Sequence, residues 1–516
     1  MPDPPTPDLL VQAVALHRAL RLAEAEPLYQ RILTAQPNHF DALHMLGVIR
    51  HQQGRNPEAL DLIGRALAAR PSSAWAHSNI GLVLRALTRH AEAVASFERA
   101  LQLDPNDVDT IINLGGTLFA LARYEEALAA AERVLALDPS WAEAFNLRGN
   151  VLQETGRLAE ALASYDRAVA IDPDHAVFCN RGSALQALNQ HREAIASYDR
   201  AVALKHDYAD AHWNGALARL CIGDLPGGFA KFEWRWRTGD GGPSFRQPLW
   251  LGAQPLSGKT ILLYAEQGVG DCLQFARYVP LVTERGAQVL LAVHRELKAL
   301  LSDLADEIFA EGEALPPFDL RCPLLSLPLA FGTTLATIPA DVPYVRADEE
   351  RAARWQARLG ASASLRVGLV WSGNPAHKND RRRSISFDQL APLLAAPGVQ
   401  FVSLQKEVRP SDAEAMGRSP LIDLAAELHD FADTAAVVAS LDLIISVDTA
   451  VAHLAGAMGK PVWVLLPFSP DWRWLLERHD SPWYPSAQLF RQPRIGDWAS
   501  VIARVAEKLR YRVDLR

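Results

Sequence analysis

Hydrophobic positions in the first half of the chain follow a cycle of 34 residues, and each cycle holds two stretches of helical periodicity. In HSNIGLVLRALTRHAEAVASFERALQLDP, residues 77–105, apolar side chains recur three and four apart, break near Thr88–His90 and stop at Asp104-Pro105. Pro37, Pro71, Pro105, Pro139 and Pro173 keep the 34-residue step, as do Gly47, Gly81, Gly115 and Gly149, and Ala59, Ala93, Ala127 and Ala161. Each cycle therefore predicts a helical hairpin whose second helix ends at the proline, with small residues where the two helix axes approach. Six clear units and a weaker N-terminal one, around Ala13, Ala25 and Tyr29, fill residues 1–239. The fifth is one residue short, Gly149 to Gly182 being 33, and the last, around Gly215, has no closing proline.

After 239 the pattern changes. Residues 240–258 are rich in glycine and proline and have no period, which marks a linker, with Trp234, Trp236 and Trp250 expected to pin the join by burial. Beyond it, short apolar runs alternate with helical stretches: ILLYA (261–265), AQVLLAV (287–293), LRVGLV (365–370), VQFVS (399–403), LIISV (443–447) and VWVLL (462–466). Such runs predict buried strands of parallel sheets, in two Rossmann-like units over 259–347 and 348–516. The fold class is thus an all-α superhelix followed by an α/β part, whose two sheets face a cleft at their carboxyl strand edges.

Composition narrows the partners. A net charge of −8 over 516 residues argues against a general phosphate-attracting field, so no nucleic acid is expected. Cys179, Cys221, Cys272 and Cys322 form no CxxC pair, which predicts neither a disulfide framework nor a zinc site and fits a reducing cytoplasm. The acidic, proline-rich start MPDPPTPDLL lacks the character of a signal peptide, and no later run predicts a membrane span.

Candidate chemistry sits where strands end. In ILLYAEQGVGDCLQFARYVP (261–280), Gly268 and Gly270 predict a tight turn, and Asp271 is either the cap of the next helix or a general base at the cleft. Gly268-x-Gly270 lacks the third glycine of a dinucleotide fingerprint, that position being Leu273. Gly252 to Gly258-Lys259-Thr260 has one residue too many for a phosphate-binding loop and precedes its strand. In the loop after 370, Lys378 and an arginine, taken as Arg383, are expected to neutralise a diphosphate, with Ser372 and Asn374 as neutral donors; Arg381 and Arg382 read as a solvated face. Gln405 either reads a base or ribose or caps the next helix. Asp448, Thr449 and Ala450 begin a small-residue helix whose free N–H groups suit phosphate, with Asp448 able to accept sugar hydroxyls and His453 either packed or functional. In the repeats, Asn79, Asn113 and Asn180 each precede a glycine by two and either hold a peptide backbone or are merely solvated.

The 34-residue cycle resembles the tetratricopeptide repeat. The segments GVGDCLQFARYVP, GLVWSGNPAHKNDRRRS and SVDTAVAHLAGAMGKPVWVLLP resemble the catalytic region of glycosyltransferase family 9, heptosyltransferase-like proteins of GT-B fold, over 259–516. The combination is similar to the O-linked N-acetylglucosamine transferases and to bacterial proteins that glycosylate flagellins. The resemblance implies Asp271 as catalytic base, Lys378 as phosphate partner, and Asp448, Thr449 and His453 on the donor-site helix. It implies a protein Ser/Thr O-glycosyltransferase with a nucleotide-sugar as co-substrate and a protein or peptide acceptor, flagellin among the candidates, in the repeat groove. No cofactor or metal is expected, because the Asp-x-Asp strings, Asp107-Val108-Asp109 and Asp172-Pro173-Asp174, fall in repeat turns. The first catalytic unit is short, at about 90 residues, and the loop Phe468–Trp474 departs from the family's glycine-rich form. A binding scaffold with a silent transferase region, or a transferase acting on lipopolysaccharide or another glycan, are the alternatives.

Overall fold

The computed structural model describes residues 6–239, 241–242, 245–377 and 379–515. The chain divides into two compact units, Met1–Leu188 with Ala203–His206, and Asn189–Val202 with Asp207–Arg516. The helical cycle read to 239 crosses this division, and its last hairpin helices fall in the sheet-bearing unit.

In the first unit the helices pair as hairpins, for example Ala74–Ala86 with His90–Leu103 and Ala142–Glu154 with Leu158–Ile171. The recurring glycine is a steric necessity. A Cβ on Gly81 would stand 2.6 Å from the Phe97 ring, and one on Gly149 would stand 2.5 Å from the Tyr165 ring. Both rings are fully buried, so the glycine of one helix is the socket for the aromatic of the next.

The second unit holds two all-parallel sheets. The first has β1 (Thr260–Tyr264), β2 (Gln288–Val293), β3 (Glu307–Ala310) and β4 (Leu320–Pro323), in the order β3-β2-β1-β4. The second has β5 (Leu365–Val370), β6 (Val399–Ser403), β7 (Ile422–Asp423), β8 (Leu443–Val447), β9 (Val462–Leu466) and β10 (Ala487–Arg491), in the order β10-β9-β8-β5-β6-β7. β5, β8 and β9 are buried along their whole length, because side chains alternate between two cores. Ile444, Val462 and Val464 join one core, while Leu443, Ile445 and Trp463 join the other. Trp250 is fully buried and donates its indole N–H to the Gln254 carbonyl at 3.0 Å, which fixes the linker. Among the described residues, no helix is long and apolar enough to cross a membrane.

Candidate functional site

Strand order locates the site before any side chain is considered. In the first sheet the order reverses beside β1, and in the second between β5 and β8. Loops leaving such a pair of strands diverge to opposite faces and open a crevice at the carboxyl edge. Three loops with predicted chemistry leave these strands: the turn after β1, the 371–384 loop after β5, and Asp448–Ala450 after β8.

The turn after β1 differs in detail from the expectation. Its left-handed residue is Gln267, with φ of 59°, whereas Gly268 is an extended N-cap with φ of −90° and ψ of 164°. Gly270 lies within helix Val269–Phe275, and its need for no side chain is steric, since a Cβ there would stand 2.9 Å from His453 Cδ2. Asp271 is not the N-cap residue either; it is the third residue of the helix, within the first turn, and its carboxylate reaches back to accept the Gly268 N–H at 2.8 Å. Its other oxygen pairs with the Arg473 guanidinium. Burial raises the Asp271 pKa, opposed by Arg473 and the Gly268 N–H, so the carboxyl is more basic than an ordinary aspartate. The strand end is clamped by Arg235, which donates to both carboxylate oxygens of Glu266 at 2.9 and 2.7 Å and to Ser326 Oγ at 2.8 Å.

In the second sheet, helix Ala450–Ala457 begins beyond β8, capped without a side-chain bond by Thr449, whose Oγ1 lies 2.9 Å from Ser446 Oγ. Arg383 donates to the Asp448 carbonyl at 3.0 Å. Gly373 makes room for that guanidinium, since a Cβ on it would stand 2.6 Å from Arg383 Nη2. Burial, then repulsion from Asp471, pushes the Asp448 pKa up to about 6. His453 is buried, its Nδ1 2.9 Å from Tyr484 Oη and its ring stacked on Trp474 at 5.3 Å. Burial, then Arg473, pushes its pKa well below the ordinary value, so the ring is neutral.

The structure brings Gly268, Gly270, Asp271, Asp448, Thr449, Ala450 and His453 together, along with Arg383 and Ser372. Ser372 is 2% exposed and its Oγ has no hydrogen-bond partner among the described residues. Asn374 is exposed and accepts the Ala376 N–H at 2.9 Å in its own turn. Lys378 lies outside the described residues. Gln405 corrects the reading as a ligand contact. Its Oε1 accepts the N–H groups of Trp371 at 3.3 Å and Ser372 at 3.1 Å, and its Nε2 donates to the carbonyls of Ser372 at 3.1 Å and Glu407 at 3.0 Å. With all four valences spent on backbone, it braces the loop.

The repeat asparagines sort differently. Asn180 donates to Asn146 Oδ1 at 3.0 Å and Asn150 Oδ1 at 3.2 Å, so Asn146 serves in the intervening unit, where the position two before Gly149 is Leu147. Asn79 Nδ2 lies 2.9 Å from His44 Nε2, and Asn113 donates to its own helix at the Asp109 carbonyl, at 2.7 Å.

Arg473 is the site residue that sequence reasoning missed. It pairs with Asp471 at 2.8 Å as well as with Asp271, and its guanidinium lies 4.5 Å over the Trp472 ring. Burial works against its charge, but the carboxylates of Asp271 and Asp471 outweigh that and hold its pKa above the ordinary value. Phe229 and Phe232, at the end of the helical cycle, pack edge-on against Trp472 at 5.6 and 6.4 Å and support its loop. An arginine set between two tryptophans in a segment dense in apolar residues is the signal that marks it.

Helical hairpin repeats followed by two parallel sheets with charged crevices at their switch points define a repeat protein carrying a tandem α/β domain. Residues 10–74, 44–108, 84–151 and 142–207 match tetratricopeptide repeat models, and residues 386–485 match the glycosyltransferase family 9 (heptosyltransferase) model. The chain therefore carries tetratricopeptide repeats and a glycosyltransferase family 9 domain. That second match includes Asp448, His453 and Arg473 but stops short of Asp271. Protein FlbA of Caulobacter vibrioides is 30% identical over 323 residues, 56% of this chain and 53% of FlbA, so the chain spans about half the length of this curated relative. Solved structures similar to part of the chain include a tetratricopeptide repeat protein from Parabacteroides merdae, 16% identical with a TM-score of 0.40, covering 45% of this chain and 93% of that one. PilF of Pseudomonas aeruginosa is 22% identical with a TM-score of 0.36, covering 39% of this chain and 93% of its own.

Proposed function

We propose that the chain is a glycosyltransferase that moves a sugar from a nucleotide-diphosphate donor to a Ser or Thr hydroxyl of a polypeptide bound by the repeats, without a metal. The observation that carries this reading is a half-buried carboxylate of raised basicity, Asp271, at one switch point, within reach of cationic groups around the other. In the reaction the acceptor oxygen bonds to the anomeric carbon while the bond from that carbon to the diphosphate breaks. The hydroxyl proton goes to Asp271, and the leaving diphosphate is met by arginine charge and the N–H groups opening helix Ala450–Ala457. Those cations take the part a divalent metal plays elsewhere. The same proposal puts the activity in the cytoplasm, where nucleotide sugars are made, and counts flagellin among the candidate acceptors.

The test is transfer by the full chain from a panel of nucleotide sugars to co-expressed candidate acceptors, read by mass spectrometry with and without EDTA. Asp271→Asn is expected to abolish the mass shift while leaving polypeptide binding intact; full activity in that variant would refute the assignment of the base. The Asp271–Arg473 pair favours one other reading, a scaffold that binds a sugar nucleotide without turnover, since the carboxylate is already neutralised. Donor binding with no mass shift on any acceptor, and no donor hydrolysis, would select it.

A further inference from the structure

Three buried polar groups near the second switch point have hydrogen-bonding capacity left over. Arg473 Nε, Arg383 Nε and Ser372 Oγ are all buried without a hydrogen-bond partner among the described residues. The Arg473 side chain is 9% exposed, and Arg383 is held to Asp380 only by a 3.8 Å ion pair. Native interiors leave few such groups unmatched, because an unpaired buried donor or acceptor has lost its water without gaining a partner. Arg383 reaches the Asp448 carbonyl, Ser372 lies on the adjoining loop after β5, and Arg473 adjoins Trp474, on which His453 of helix Ala450–Ala457 stacks. Arg383 and Arg473 therefore stand beside the first turn of that helix, with Ser372 next to the Gly373 that makes room for Arg383, and free N–H groups there already favour an anion.

Asp271 holds one end of the Arg473 guanidinium through Nη2, and Asp471 holds the other through Nη1. Gly270 brings the Asp271 turn against the same helix, within 3.4 Å of Ala450 Cα for an added Cβ, so the ion pair sits beside this anion-favouring end. We infer that Arg473 is a diphosphate ligand which Asp271 holds in reserve: a nucleoside diphosphate takes over the guanidinium, and the carboxylate is released to accept the acceptor's proton. This inference rests on the proposed transferase reading. Separating a buried ion pair into water is expensive, so Arg473 exchanges one anion for another and does not leave unpaired. Diphosphate, with more charge and more acceptor oxygens than a carboxylate, is the anion class able to win that exchange. Once Arg473 turns away, the largest influence opposing burial at Asp271 is gone, only weaker ones such as the Gly268 N–H remain, and its carboxylate becomes a stronger base. Donor binding and base activation are then one event.

A double-mutant cycle on the full chain tests the exchange, with UDP, GDP, ADP and dTDP as probes and the tightest binder carried through calorimetry. Arg473→Met is expected to weaken that nucleotide about ten- to hundredfold. Asp271→Asn, which removes the competitor for Arg473, is expected to tighten it several-fold in the wild-type background and to change it less than twofold in the Arg473→Met background. Arg473→Lys, which keeps the charge, covers the case in which Arg473→Met fails to fold, and is expected to show an intermediate gain from Asp271→Asn. If the Asp271→Asn gain is absent, or persists undiminished without Arg473, the exchange is wrong, and general charge removal explains any gain. That failure leaves the transferase reading standing wherever Asp271→Asn still loses turnover. A wild-type chain that binds none of the four nucleotides and none of their sugars overturns both.

Discussion

Gly270→Ala isolates the geometry on which the candidate base depends. The new methyl would stand 2.9 Å from His453 Cδ2, 3.7 Å from Nε2 and 3.4 Å from Ala450 Cα. Ordinary contact begins near 3.4 Å, so the methyl arrives about half an ångström too close to the ring. His453 has no easy way to yield, being 5% exposed, bonded at Nδ1 to Tyr484 and stacked on Trp474. The helix Val269–Phe275 must shift instead, carrying Asp271 with it. Overpacking of this size costs about 1–3 kcal/mol of stability. Misplacing a catalytic group by 1 Å costs about a hundredfold in rate, so half of that is expected to lower kcat about tenfold with KM for the donor nearly unchanged. Gly268→Ala is the control, since its Cβ would meet only Asp271 Oδ2 at 3.2 Å and its backbone is already one any residue adopts. Transfer kinetics and thermal melts on both variants decide the matter, with His453→Ala in the Gly270→Ala background expected to recover part of kcat. A Gly270→Ala enzyme with full kcat, or a Gly268→Ala enzyme more damaged than it, would refute the steric argument.

Two further outcomes follow from the second sheet. Gln405→Ala removes four hydrogen bonds, three of them buried, from the 371, 372 and 407 backbone, at about 1 kcal/mol net each. Melting is therefore expected several degrees lower, and an unchanged Tm would show that the amide braces nothing. Asp448 has a folded pKa of about 6, above its unfolded value near 3.8, so it contributes stability below pH about 4 that is lost as pH rises through about 6. Asp448→Asn is thus expected to melt progressively higher than wild type between pH 4 and 7, and a difference independent of pH would count against the shift.

The periodic parts of the molecule were legible because their cause is local. A helical hairpin repeats its glycine and its proline at fixed offsets, and a strand buried on both faces announces itself as an apolar run. The switch-point loops were legible for the same reason, since each begins where an apolar run ends, and Asp271, Asp448 and His453 fall on them. What the chain order concealed were pairings across long separations. Asp271 and Arg473 lie 202 residues apart, and Gln405 reaches Ser372 over 33. No spacing rule marks which polar side chain is consumed by backbone and which faces a ligand, and so Gln405 was misread and Arg473 passed over.

That concealed pairing bears on how a family is assigned from sequence. Within the 386–485 match lie Asp448, His453 and Arg473, which surround the donor-side helix, whereas Asp271 comes from a sheet outside it. The guanidinium that spans the two is buried and shared by Asp271 and Asp471, so removing Asp271 leaves Asp471 as its counter-charge, whereas removing the guanidinium strands both carboxylates. The base and the donor-side loop are therefore constrained as a pair. Because Asp471 still balances Arg473, Asp271→Asn is expected to melt closer to wild type than Arg473→Met, which leaves two neighbouring carboxylates without their cation; the reverse order in thermal melts would refute the pairing.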